Sequence, residues 1–93
     1  MKVYLAGKIT GDEEYREKFC RAAEKLEKKH HEVINPAWLP DGMRPQDYMQ
    51  ICLPMLFTAD MAAFLPDWEE SSGARLEYEL CIYIDKPIFL LEE

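Results

Sequence analysis

A chain of 93 residues with 18 acidic and 11 basic side chains has room for one hydrophobic core, so a single domain over residues 1–93 is expected. Its net charge of -7 speaks against binding a nucleic-acid duplex, which needs clustered Lys and Arg. A domain of this size buries only about 60–65% of the surface its unfolded chain exposes, so association into a homo-oligomer is expected.

No apolar run approaches the ~20 residues that span a bilayer, and the chain enters a strand pattern without a signal-peptide core, so the expected location is the cytoplasm. Cys20, Cys52 and Cys81 lack C-x-x-C spacing and read as reduced, buried thiols instead of a disulfide framework or a zinc site. Lys25, Lys28 and Lys29 are interleaved with Glu24 and Glu27, the pattern of a solvated helix face.

Met1 to Ala6 reads as a short buried strand that stops at Gly7, and Gly7-Lys8-Ile9-Thr10-Gly11 is a loop before a helix. Glycines bracket this turn and permit positive φ and close approach of backbone to a ligand. A strand, a glycine loop and a helix N-terminus make a corner suited to anions, although the residues match neither the dinucleotide fingerprint nor a P-loop. The helix is predicted to open near Asp12, capped by Thr10 or Asp12, and to send Tyr15, Phe19, Ala22, Ala23 and Leu26 to the core. It should end around Lys29-His30, where cationic side chains suit the helix dipole, and the histidines receive no catalytic role.

Glu32 to Asn35 is a second strand, closed by Pro36. The segment from Pro36 to Pro45 is too apolar for a linker, with Trp38, Leu39 and Met43, and reads either as a surface loop pinned by Trp38 or as a lid or subunit contact. Pro45 suits the first position of a second helix with an apolar stripe of Tyr48, Ile51, Cys52, Met55 and Leu56, and Pro54 predicts a kink or break. Met61 to Leu65 is an apolar third strand. After a loop over Pro66 to Glu70, Ser71 or Ser72 caps a third helix whose core stripe is expected to be Leu76, Leu80, Tyr83 and Ile84. Ile88 to Leu91 is the last strand. Strands alternating with helices imply an α/β fold with a parallel sheet and right-handed crossovers.

Ligands of open α/β sheets bind outside the carboxyl ends of the strands, which directs attention to Ala59–Cys81. Glu77 shares a helix face with Gly73, Ala74 and Cys81, and the small residues one turn earlier leave room for a substrate to reach its carboxylate. A second carboxylate in the pocket would allow nucleophile and acid to divide the work. Asp60 or Tyr4 can reach Glu77 across the sheet end. Asp60 reads equally well as a turn residue, and Tyr4 as a core aromatic with its hydroxyl satisfied.

The pattern Tyr4-Leu-Ala-Gly7-Lys-Ile-Thr-Gly11, Val33-Ile-Asn-Pro36, Ala59-Asp60, Ser72-Gly73-Ala74-x-x-Glu77 resembles the nucleoside 2-deoxyribosyltransferase superfamily, most closely its small, largely uncharacterised bacterial and phage branch. The resemblance implies a flavodoxin-like three-layer sandwich with a short parallel sheet of about four strands in the order 2-1-3-4. It implies cleavage or exchange of the N-glycosidic bond of a (deoxy)nucleoside or its 5′-monophosphate through a covalent glycosyl-enzyme. Glu77 matches the family's nucleophile, Asp60 its handler of the base and its proton, and Tyr4 the tyrosine that orients the nucleophile. No metal or organic cofactor is implied. By the same resemblance Gly7, Lys8, Ile9, Gly11, Ser71, Ser72 and Gly73 bind substrate, with Lys8 supplying charge to a 5′-phosphate, while Ser71 and Ser72 serve equally as simple N-caps. A non-catalytic nucleotide sensor and a structural assembly protein are the rival readings.

Overall fold

The structure, a computed structural model, describes residues 1–92. Strand β1 (Lys2–Ala6) is followed by α1 (Tyr15–Glu27), β2 (Glu32–Ile34), α2 (Pro45–Thr58), β3 (Met61–Phe64), α3 (Ser72–Tyr83) and β4 (Ile88–Leu90), with short 3-10 turns at Pro36–Trp38 and Trp68–Glu70. The four strands form a sheet in the order β2-β1-β3-β4, and every neighbouring pair is parallel. This is the flavodoxin-like arrangement. β1 is buried along nearly its whole length, as a central parallel strand must be when helices cover both faces.

Alternation along the strands divides the core into two. Val3, Leu5 and Ala63 face α1 and meet Tyr15, Phe19, Ala22, Ala23 and Leu26. Tyr4, Ala6, Ala62 and Phe64 face the other way, toward Cys52 and Leu56 of α2 and Cys81 of α3. The hydroxyl of Tyr4 and the carboxylate of Glu77 thus belong to the α2/α3 side of the sheet. Among the described residues no helix is long and apolar enough to cross a membrane.

Several local expectations are corrected. α1 opens at Tyr15, not near Asp12, because the Asp12 carboxylate accepts the Glu14 N–H and Lys18 Nζ and so holds a turn ahead of the helix. It closes at Glu27, and His30 takes a positive φ of 69° in the turn that follows. α2 runs unbroken through Pro54, and the Pro54 carbonyl accepts from Thr58 Oγ1 at 2.8 Å. Trp38 does not pin its loop; it is 73% exposed. The loop is held instead by buried Asn35, Pro36 and Ala37, with Arg16 donating to the Ala37 and Leu39 carbonyls and Tyr48 Oη to the Pro40 carbonyl.

The largest correction concerns α3. Its buried face is Ala74, Glu77 and Cys81, while Leu76, Tyr83 and Ile84 of the expected core stripe are exposed. The helix presents its small residues to the sheet, so an acidic side chain is carried inside and an apolar stripe is left outside.

Candidate active site

The end of the sheet where β1 and β3 finish carries a cavity of about 250 Å³. Tyr4, Ala6 and Gly7 form one side, Ser71 to Ala74 and Glu77 another, and Pro36, Pro45, Tyr48, Met49 and Cys52 close it from α2 and the turn after β2. Gly7 packs closely on Leu65: a Cβ there would stand 2.7 Å from Leu65 Cδ1 and 3.0 Å from Leu65 Cβ, so any side chain would require Leu65 to shift. The strand end can therefore turn into its loop directly against β3.

At the floor, Tyr4 Oη donates to Glu77 Oε2 at 2.6 Å, a charge-assisted geometry. Glu77 is 5% exposed, and burial pushes its carboxyl from the ordinary 4.5 to about 7, with the Tyr4 hydrogen bond pulling it part of the way back. Burial, and then the Glu77 charge, raise the Tyr4 hydroxyl well above its ordinary value, so it stays a donor. Burial likewise raises the thiols of Cys52 and Cys81, each to about 11. Neutral thiols are poor nucleophiles, which leaves Glu77 as the poised group of the cavity floor.

Helix α3 positions this carboxylate. The Ser71 hydroxyl accepts the Ala74 N–H at 3.2 Å, satisfying one of the free donors of the first turn, and Glu77 then follows one turn after Ala74 on the inward face. Replacing Ser71 by alanine is expected to lower unfolding stability by about 1 kcal/mol, measured by urea denaturation, and Ser71→Asp to retain most of it because aspartate is an equally good cap.

Of the residues expected from the sequence, Tyr4, Gly7, Ile9, Ser71, Ser72, Gly73 and Glu77 come together on the cavity. Asp60 does not. It precedes β3, and in a parallel sheet that places it at the amino ends of the strands, opposite the cavity. There its carboxylate accepts the Lys2 backbone N–H at 2.7 Å, which together with nearby positive charge holds its pKa below the ordinary carboxylate value. Gly11, with φ of 86°, and Lys8 also stand outside the lining, and the Lys8 amine pairs with Glu70 at 3.7 Å. Cys52, Tyr48, Met49 and Glu70 also line the cavity and are not among the residues expected from the sequence. Glu70 is marked in the sequence as the residue just before the helix cap; Tyr48 and Cys52 fall on the apolar stripe of the second helix, and Met49 carries no sequence signal. Among the described residues no cluster of three or more His, Cys, Asp or Glu is placed to hold a metal ion.

Residues 1–90 match the family model DUF4406, described as a domain of unknown function. The chain belongs to that family. A search of curated proteins finds no match. Among solved structures, this DUF4406 chain is similar to a 2-deoxyribosyltransferase from the psychrotolerant bacterium Bacillus psychrosaccharolyticus, characterised as a biocatalyst for synthesis of antiviral and antitumoral nucleosides. The TM-score is 0.74 at 19% sequence identity, covering 97% of this chain and 71% of the other. At that identity the likeness is one of fold.

Proposed function

We propose that this DUF4406 protein is an enzyme that cleaves or exchanges the N-glycosidic bond of a nucleoside or its 5′-monophosphate through a covalent glycosyl-glutamate. The observation that carries the reading is the Tyr4–Glu77 hydrogen bond at the floor of a cavity. The fold shared with a nucleoside-processing transferase supports it. The cavity falls below the ~300–1,000 Å³ typical of drug-sized ligands, which suits a compact substrate.

In this mechanism Tyr4 holds Oε2 and fixes the carboxylate rotamer, leaving Oε1 to attack the anomeric carbon. The C1′–Oε1 bond forms as the C1′–N bond breaks, and the base departs with the electron pair and takes a proton from water at the open mouth. A second base or water then attacks C1′ from the opposite face, gives its proton to the hydroxide left by the first step, and releases the glutamate as the C1′–Oε1 bond breaks. Asp60 has no part in this scheme, since it lies at the other end of the sheet. The test is incubation with deoxynucleosides and their monophosphates, with and without an acceptor base, followed by chromatography. Free base or an exchanged nucleoside is expected; ligand-induced thermal stabilisation without either product would instead mark a sensor.

A further inference from the structure

The charge of the cavity is one-sided. Its lining contains the carboxylates of Glu70 and Glu77 and, among the described residues, no lysine, arginine or histidine. The nearby basic groups are engaged. Lys8 Nζ lies 3.7 Å from Glu70 Oε1, and Lys18 Nζ is taken by Asp12, Asp67 and the Lys8 carbonyl. Lys8 belongs to the loop after β1 and Glu70 to the 3-10 turn before α3, so their ion pair joins the two loops that frame the cavity.

Glu77 is shielded at the floor, whereas the Glu70 side chain is 67% exposed and meets an incoming ligand first. An uncharged ligand passes it without electrostatic cost. A 5′-phosphate brings like charge against it, and to recruit Lys8 the phosphate must displace Glu70 and leave that carboxylate unpaired beside itself. Resting on the function proposed above, we propose that Glu70 is the charge-selecting residue of this site: it holds Lys8 and keeps its own carboxylate at the mouth, so that an uncharged nucleoside is admitted in preference to the same nucleoside's 5′-monophosphate. Glu70 acts on which substrate enters, not on the scissile bond.

The experiment measures binding of a 2′-deoxynucleoside and its 5′-monophosphate by calorimetry to the wild type, Glu70→Gln and Glu70→Lys, with base release followed in parallel. The wild type is expected to bind the nucleoside about ten-fold or more tightly than the monophosphate. Glu70→Gln should narrow that ratio about ten-fold and Glu70→Lys should narrow it further, both changes shrinking in about 0.5 M salt. Equal or tighter binding of the monophosphate by the wild type, an unaltered ratio in Glu70→Gln, or binding of neither ligand overturns the assignment. The expected preference with no base released from either ligand upholds Glu70 as the selector and overturns the catalytic reading, so the two fail separately.

Discussion

Replacing Glu77 by glutamine is expected to lower base release by about 10³-fold or more, because the amide keeps the shape of the side chain and removes the oxygen nucleophile. The same substitution has a second, independent signature in stability. The folded state holds the Glu77 proton more tightly than the unfolded chain, with a carboxyl at about 7 against the ordinary 4.5. Between those values the folded state therefore binds more protons, and stability falls as pH rises through the window. The contribution is present in full below 4.5 and lost above about 7, a change of about 3 kcal/mol for this buried group. Glu77→Gln carries no such titration, so its stability relative to the wild type should rise by that amount between pH 4.5 and pH 8. Urea denaturation of both proteins across this range checks it. A constant difference would mean that Glu77 is not buried as described, and undiminished base release by the variant would end the covalent mechanism.

Tyr4→Phe should act through Glu77. Loss of the hydroxyl removes the hydrogen bond that draws the Glu77 carboxyl downward, so the acid limb of kcat/KM, expected near pH 7 in the wild type, should move to higher pH. At neutral pH the rate is expected to fall about 10- to 100-fold, from a smaller ionised fraction together with a less well-aimed carboxylate. Stability should drop by about 1–3 kcal/mol, because a buried acceptor is left without its donor. A rate loss with an unmoved pH limb would make Tyr4 a packing residue only. The two variants thus report on different properties of one contact, the nucleophile in one case and its ionisation and aim in the other.

The alternation of Val3 and Leu5 against Tyr4 and Ala6 is written in the chain, and it is enough to put the Tyr4 hydroxyl on one defined face of the sheet. Glu77 was legible as the residue on the small face of its helix. Its burial was not, because helical periodicity ranks faces by hydrophobicity and ranked Leu76, Tyr83 and Ile84 first, whereas packing chose the face with Ala74 and Cys81. Asp60 shows the same limit along the strand. Its place just before β3 was plain, yet the consequence, that a parallel sheet carries it to the end away from the cavity, needed the strand order and direction to be read together.

The sequence by itself determined the βα order, the parallel sheet, a serine cap at Ser71 or Ser72 and the helix face that bears Glu77. These depend on residues near one another in the chain, through turn chemistry, capping and period. Only the tertiary structure decided that Tyr4 meets Glu77 across 73 positions, that Cys52 and Tyr48 close the cavity, and that Glu70 holds Lys8 at its mouth. Those contacts are set by how the helices lie on the sheet, where the fit of small and large side chains outweighs the hydrophobic pattern of any single element.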